Sequence, residues 1–265
     1  MNYYRFEIQE RVWRRWMDLR HRFVYADQHF PKMLAFETDT FCNRACPYCP
    51  QSVIQRPRQK MDESTFEIMC QRVKELNYRG KVVLSWLNEP LFDTRLVGFI
   101  ARMKAAAPLC RPCVFTNGDL LTKEKMGELI VAGVYYVNIT KHPPFSKNWD
   151  TKIADLRKQF PRHIQYRGQF LNKPWLFNWN GTTPNPPNAT KWKTCVMISW
   201  NLLAHYDGAV RLCACLTDET PVVGNLIHED ILSVWRKPEF VAMRKQARSG
   251  RPTLEPCKKC YNRTA

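Results

Sequence analysis

Three cysteines stand close together on the chain, at Cys42, Cys46 and Cys49, with the spacing C-x3-C-x2-C. They follow an apolar stretch that begins at Met33 and predicts a β-strand. Three thiolates on one loop can bind three irons of a [4Fe-4S] cube and leave the fourth iron without a protein ligand. A zinc site usually takes four ligands, and no nearby His or Cys completes such a set. The spacing therefore favours an iron-sulfur cluster with one open iron.

Four further cysteines can ligate a second cluster. Cys195 and Cys213 flank a predicted hairpin that turns at Asp207-Gly208, and Cys257 and Cys260 form a C-x2-C pair near the end of the sequence. A hairpin brings its two ends together, so the pair can complete a set of four thiolates. A structural zinc in the same four thiolates is the alternative.

Chain length, cysteine count and net charge limit the class of protein. The 265 residues fit one large α/β domain, or one with a small appendage. Eleven cysteines without an export signal indicate metal or redox chemistry in a reducing compartment, and we expect a cytoplasmic protein with no membrane span. The net charge of +17 predicts an anionic partner, and without an RNA-binding motif it favours an anionic or polar small molecule over nucleic acid.

Strand and helix signals alternate from Met33 onward and predict a parallel sheet, open or closing towards a barrel. Active-site groups should then lie on the loops that follow the strands. The predicted strands cover 33–39, 81–86, 111–116, 134–140 and 163–170, and the predicted helices cover 64–76, 94–107, 122–132 and 150–160. One further helix is predicted over about 229–247.

Four regions follow from this pattern. A basic amphipathic helix in residues 1–32 should pack on the core, although a membrane-surface helix or an RNA-binding arm remains an alternative. Residues 33–170 should form the partial barrel, and 171–194 read as a connecting loop because they are rich in Pro, Asn, Thr and Trp. Residues 195–265 should form a small cluster-binding domain.

The cysteine motif and the strand ends together resemble the radical S-adenosylmethionine (SAM) superfamily. Leu87-Asn88-Glu89-Pro90 resembles the family's G-E-P segment, with Asn88 in place of the usual Gly. The resemblance implies that the open iron binds SAM, and that cleavage of SAM yields a 5′-deoxyadenosyl radical. It also implies cofactor contacts for Tyr48, Asn88, Glu89, Pro90, Thr116, Asn117 and Thr140.

The C-terminal region resembles the twitch and SPASM auxiliary-cluster domains of the same superfamily. The similarity is carried by Gly224-Asn225-Leu226, Trp235, Phe240, Arg244 and the final C-x2-C pair. The sequence ends too soon for a second auxiliary cluster, so the resemblance implies the one-cluster twitch form, with Cys195, Cys213, Cys257 and Cys260 as its metal ligands.

The reaction expected from this resemblance is a two-electron oxidation of an alcohol on a small polar substrate, with a reductase or flavodoxin-type protein as electron donor. A radical epimerase is one alternative, in which Cys215 would donate a hydrogen atom. A peptide maturase and a non-enzymatic cluster protein that binds RNA are the others. Lys141, His142 and Arg167 lie near strand ends and are the predicted positive groups of the substrate pocket.

Two four-iron ligand sets predict about eight iron and eight sulfide per chain after anaerobic reconstitution. Substituting Cys42, Cys46 and Cys49 by Ala together should leave about four iron, the content of one cluster. Iron, sulfide and zinc analysis of the two proteins tests this. A wild-type protein with about four iron and stoichiometric zinc would contradict the second cluster.

Overall fold

The computed structural model describes residues 12, 16, 19, 30–54, 56–143, 147–169, 195, 197–213, 221–249 and 253–261. The predicted basic helix and connecting loop therefore lie almost wholly outside the described residues. Only Val12, Trp16 and Leu19 are described there, and they are helical and exposed. No helix within the described ranges combines the length and the apolar character needed to cross a membrane.

Eight strands form one sheet. Their ranges are β1 (Met33–Phe36), β2 (Lys81–Val83), β3 (Arg111–Thr116), β4 (Tyr136–Lys141), β5 (Ile164–Gln169), β6 (Asn201–Ala204), β7 (Ala209–Arg211) and β8 (Val222–Asn225). The order across the sheet is β5-β4-β3-β2-β1-β6-β7-β8. The strands from β5 to β6 are parallel to one another, whereas β7 and β8 are antiparallel to their neighbours. The predicted parallel sheet is confirmed, and the strands within the described ranges form an open sheet rather than a closed barrel.

The helices connect and cover these strands. Their ranges are α1 (Glu63–Glu75), α2 (Leu96–Ala106), α3 (Lys123–Val131), α4 (Trp149–Gln159), α5 (Met197–Trp200), α6 (Ile231–Trp235), α7 (Pro238–Ser249) and α8 (Glu255–Tyr261). Two short 3-10 helices, Pro50–Ser52 and Pro90–Phe92, follow Cys49 and Glu89. Local signals set several starts: the Thr122 hydroxyl accepts from Lys125 N at α3, and the Asp230 carboxylate accepts from Ser233 N at α6.

Two C-terminal predictions need correction. The single helix expected over 229–247 is two helices, because Pro238 cannot continue α6 and instead occupies the first position of α7. The first arm of the predicted hairpin is also shorter, since residues 197–200 form the helical turn α5 before β6 begins. The hairpin turn itself lies at Asp207-Gly208 as predicted, and Gly208 has a φ of +76°.

The sheet has two distinct faces. The helix face packs Leu34, Phe36, Val82 and Val114 into a large core that also contains side chains of α1, α2, α3 and α4. The second face is marked by a separate row of buried side chains that lie opposite one another in register across five strands. This row consists of Leu203, Ala35, Val83, Cys113 and Tyr136. Residues two positions further along each strand share the same face.

Gly208→Ala should lower the free energy of unfolding by about 1–3 kcal/mol, because a residue with a Cβ resists this left-handed backbone conformation. The new Cβ would also approach Asn225 Oδ1 and Ile227 Cγ1 to 2.8 Å. Gly98→Ala is the matched control, since Gly98 lies within α2 with nothing within 4 Å of its Cβ position. It should raise stability by about 0.5–1 kcal/mol. Urea unfolding of both variants measures the two changes in the free energy of unfolding. Equal changes would refute the claim that the turn requires Gly208.

Candidate active site at the two ends of the sheet

The segment 42–49, which we call the cluster loop, leaves β1 at its carboxyl end. Phe41 O accepts a hydrogen bond from Glu89 N at 3.1 Å, and Thr38 Oγ1 donates to Leu84 O at 3.4 Å. Both contacts tie the segment after β1 to the segment after β2. Within the cluster loop, Cys49 N donates to Cys46 O at 2.9 Å and closes a turn. The cluster loop is therefore fixed to the edge of the sheet where parallel strands end.

A charged clamp fastens the cluster loop to the segment after β3. Arg44 donates to both carboxylate oxygens of Asp119, from Nε at 2.7 Å and from Nη2 at 2.6 Å. Asn43 Nδ2 also donates to Asp119 Oδ2 at 3.1 Å, and Asn117 Nδ2 donates to Asn43 Oδ1 at 2.9 Å. Burial raises the pKa of Asp119, but the Arg44 hydrogen bonds and charge outweigh it and hold the pKa below its usual value.

The segment after β4 completes this edge. Arg44 Nη1 donates to His142 O at 2.5 Å, and Tyr48 Oη lies 2.7 Å from His142 Nδ1 with the two rings stacked. Burial, followed by the charge of Arg44, lowers the pKa of His142 to about 4. His142 is therefore a neutral partner of the cluster loop near pH 7.

Glu89 organises the ends of β2 and β3. Its buried carboxylate accepts from Thr116 Oγ1 at 2.7 Å, from Asn117 N at 2.8 Å and from Leu91 N at 3.1 Å. Burial raises the pKa of Glu89 to about 7, and these three hydrogen bonds oppose that shift. Pro90 begins the short helix whose first turn the Glu89 side chain caps.

The other residues predicted to bind the cofactor occupy the same edge. Asn88 is buried, and its Oδ1 accepts from Trp86 N at 2.8 Å. Thr140 is half-buried and lies one residue before the end of β4. The structure thus brings Tyr48, Glu89, Thr116 and Asn117 together around the cluster loop.

The predicted substrate residues are less uniform. Lys141 donates to both carboxylate oxygens of Asp150 at 2.6 Å, and its ammonium lies over the Trp149 ring on the side of α4. Arg167 belongs to β5, but its side chain lies outside the described part of the structure. Cys215 also lies outside the described residues. Of the three predicted cations, His142 alone contacts the cluster loop among the side chains described.

The four predicted auxiliary ligands lie close together at the opposite edge of the sheet, since Cys195 and Cys257 each have the neighbouring thiols around them. They are Cys195, Cys213, Cys257 and Cys260. Cys195 precedes α5 and β6, and Cys213 follows β7, which runs antiparallel to β6. Both therefore lie towards the edge where β1 and β6 begin, while the cluster loop lies where β1 ends. The four residues of β1 span about 13 Å at about 3.3 Å per residue, so the two thiol sets stand at the two ends of one short sheet.

Both thiol sets suit iron-sulfur clusters. Burial, and next the neighbouring thiol of Cys213, raise the pKa of Cys257 to about 12, and burial raises the pKa of Cys42 to about 12 with further contributions from Glu89, Cys49 and Cys46. Each set therefore contains mutually close thiols that a positive metal centre would stabilise as thiolates. Within the described ranges, no three His, Cys, Asp or Glu side chains converge on a single metal ion. In a cube each thiolate binds its own iron, so such convergence is not required.

Some residues of this site were not identified from the sequence. Asn43, Arg44 and Asp119 form the clamp, and their signal was their position inside the cysteine motif and directly after Asn117-Gly118. Glu37 and His205 follow β1 and β6 and are both buried, at 0% and 5% exposure. Two buried ionisable residues directly after strands would have been the signal for them.

Comparisons with known proteins agree with this geometry. Residues 37–147 match the Radical SAM superfamily, and residues 195–261 match the SPASM iron-sulfur cluster-binding domain. A curated relative from Niallia circulans, S-adenosyl-L-methionine-dependent 2-deoxy-scyllo-inosamine dehydrogenase, is 27% identical over 237 residues, which cover 87% of this chain and 92% of the relative.

Two solved structures share the fold. The crystal structure of BtrN in complex with AdoMet and 2-DOIA has a TM-score of 0.76 and 24% identity, and the match covers 88% of this chain and 92% of that one. The structure of native anSMEcpe with bound AdoMet and a Cp18Cys peptide has a TM-score of 0.56 and 13% identity, with 86% and 85% covered. At these identities the matches support the architecture alone.

Asp119→Asn should accelerate iron loss from the cluster loop about tenfold, which corresponds to about 1.4 kcal/mol in the barrier. The substitution removes the charge that binds Arg44 and leaves a partly buried guanidinium without its carboxylate. Iron release to a chelator, followed by absorbance, measures the effect.

Glu128→Gln is the matched control, because the Lys125–Glu128 pair is exposed and contributes little. It should leave iron release unchanged. Equal rates for wild type and Asp119→Asn would contradict the clamp.

Proposed function

We propose that this chain, which is a radical SAM enzyme and an oxidoreductase, oxidises an alcohol carbon of a small polar substrate to a carbonyl. The observation that carries the proposal is the placement of two thiol sets at opposite ends of one sheet. When bound, SAM with the first cluster would supply a 5′-deoxyadenosyl radical that takes the carbon-bound hydrogen atom. The hydroxyl hydrogen would leave as a proton to a base or to solvent, and an auxiliary cluster would accept the remaining electron.

The chain's own residues provide the framework for this chemistry. Arg44, Asp119 and Glu89 hold the cluster loop against the strand ends, so the three thiols Cys42, Cys46 and Cys49 are fixed in place. Cys195 and Cys213 pack against the helix-face core at the opposite edge of the sheet. A substrate bound at the cluster-loop edge would therefore be separated from the electron acceptor by about the length of β1.

The substrate class follows from the relative's name. The Niallia circulans relative is named for a 2-deoxy-scyllo-inosamine dehydrogenase activity, and the match covers 92% of that protein. An aminocyclitol or a similar ring polyol is therefore the proposed substrate. A reductase or flavodoxin-type protein is the proposed electron donor for the first cluster.

Epimerisation is the second candidate reaction, and it differs in the fate of the substrate radical. Oxidation sends an electron to an acceptor, whereas epimerisation needs a hydrogen-atom donor, for which Cys215 is the candidate. The two thiol sets within one protein favour oxidation, because a second cluster offers the acceptor that only oxidation requires.

A substrate labelled with deuterium at its carbinol carbon separates the two reactions. We expect deuterium in 5′-deoxyadenosine, one ketone per 5′-deoxyadenosine and no solvent hydrogen at the product carbon. Cys215→Ala should retain product formation within about tenfold, or about 1.4 kcal/mol in barrier terms. Cys195→Ala should still form 5′-deoxyadenosine but yield no ketone.

Mass spectrometry of both products measures these outcomes. Solvent deuterium at the product carbon, together with a Cys215→Ala variant that forms 5′-deoxyadenosine but no product, would replace oxidation by epimerisation.

A further inference from the structure

Several buried polar atoms near the second face have no hydrogen-bond partner within the described residues. They include Trp86 Nε1, Asn88 Nδ2, Asn138 Oδ1 and His205 Nε2. A buried polar atom without a partner costs about 1–3 kcal/mol. Such atoms are therefore expected to bind a ligand or water.

The strand register places His205 and Asn138 on the second face. Ala204 lies opposite Phe36, and the ladder continues to His205 and Glu37, since Glu37 N donates to Ala204 O at 3.0 Å and His205 N donates to Ala209 O at 3.0 Å. His205 is two residues after Leu203 of the apolar row. Asn138 is two residues after Tyr136 of that row, and it lies opposite Phe115.

Glu37 lies beside the imidazole of His205. Its carboxylate accepts from Arg56 Nη2 at 2.6 Å and from Nη1 at 3.1 Å, and His205 Nδ1 lies 3.7 Å from Glu37 Oε2. This separation is longer than a hydrogen bond, so it does not select the tautomer of the ring. His205 Nε2 is buried and, in a neutral imidazole, either donates or accepts one hydrogen bond.

The imidazole stays uncharged. Burial, followed by the charges of Arg56 and Arg211, lowers the pKa of His205 to about 3, although the Glu37 carboxylate faces the same ring. A neutral imidazole makes one hydrogen bond through Nε2, as donor or acceptor, and carries no charge that would attract an anion.

The orphaned atoms include both donors and acceptors, and this mixture favours a ligand that offers both. Trp86 Nε1 and Asn88 Nδ2 are donors, Asn138 Oδ1 is an acceptor, and His205 Nε2 is either one according to its tautomer. Asn88 belongs to the segment predicted to contact SAM, which leaves the other three atoms for a substrate. A phosphate or carboxylate only accepts, so it would leave Asn138 Oδ1 without a partner, whereas a ring with several hydroxyl groups offers both donors and acceptors.

The charges around this face agree with a neutral ligand. Arg56 is paired with Glu37, Arg58 and Lys60 with Asp39, and Arg44 with Asp119. Among the described residues, these four cations at the edge each have a carboxylate partner.

We propose that His205, which lies beside Glu37, binds a hydroxyl group of a polyhydroxylated ring substrate through Nε2 and so determines its specificity. This inference rests on the alcohol oxidation proposed above. It predicts that the enzyme recognises uncharged hydroxyl groups of its substrate. The net charge of the chain had instead suggested an anionic substrate.

Two substitutions of His205 separate binding from structure. Gln places a polar group near the position of Nε2, whereas Asn keeps a polar group near Nδ1 and leaves the Nε2 position empty. His228→Asn is the control, because His228 is exposed and lies after β8. Calorimetric titration of oxidised, SAM-loaded holoenzyme with 2-deoxy-scyllo-inosamine, scyllo-inositol and an inositol monophosphate measures binding without turnover.

We expect His205→Asn to weaken binding of 2-deoxy-scyllo-inosamine about tenfold, or about 1.4 kcal/mol. His205→Gln should stay within about threefold of wild type, and His228→Asn should match wild type. All variants should keep about eight iron per chain, which separates lost binding from lost folding.

Three results would overturn the inference. They are equal affinity of wild type and His205→Asn for 2-deoxy-scyllo-inosamine, tighter binding of the inositol monophosphate than of scyllo-inositol, and no binding of any probe by wild type. Failure of the proposed function is a separate outcome, read from the deuterium experiment. If an alcohol is oxidised while His205→Asn binds it like wild type, alcohol oxidation stands and the role of His205 falls.

Discussion

Parallel pairing of β1 with β2 on one side and with β6 on the other is the constraint on which the site depends. Parallel strands present their carboxyl ends at one edge, so the segments after β1, β2, β3, β4 and β6 meet there. Because β6 is parallel to β1, it begins at the opposite edge of the sheet, and Cys195 lies just before it. The two thiol sets therefore lie beyond the two ends of β1, a short strand in the middle of the sheet.

Three buried or half-buried carboxylates hold this edge together, and each joins two segments that are distant in sequence. Glu89 binds the end of β3, Asp119 binds the cluster loop, and Glu37 binds Arg56 beyond the cluster loop. Each carboxylate accepts two or more hydrogen bonds, which offsets the cost of its burial. A loop that carries three thiols for a metal cluster needs such fastening, because the small cluster of Cys46, Tyr48 and Cys49 is its own hydrophobic packing.

Charge was the least informative part of the sequence. The excess of basic residues suggested a positive pocket, yet Lys141 binds Asp150, Arg44 binds Asp119 and Arg56 binds Glu37. A net count sums charges over the whole molecule, whereas recognition depends on which charges share one surface. The neutral state of His142 and His205 follows in the same way from burial and neighbouring guanidinium groups, neither of which a sequence displays.

The sequence by itself determined the alternation of strands and helices and the hairpin turn, because each rests on spacing within a few residues. The two cysteine ligand sets stay a prediction. The split of the C-terminal helix at Pro238 was also visible in the sequence, although it was not predicted. Only the tertiary structure decided that β6 joins β1, that Arg44 meets Asp119 and that His205 faces Glu37. These contacts join residues 75 or more positions apart, and they arise from sheet order and register, which local periodicity does not encode.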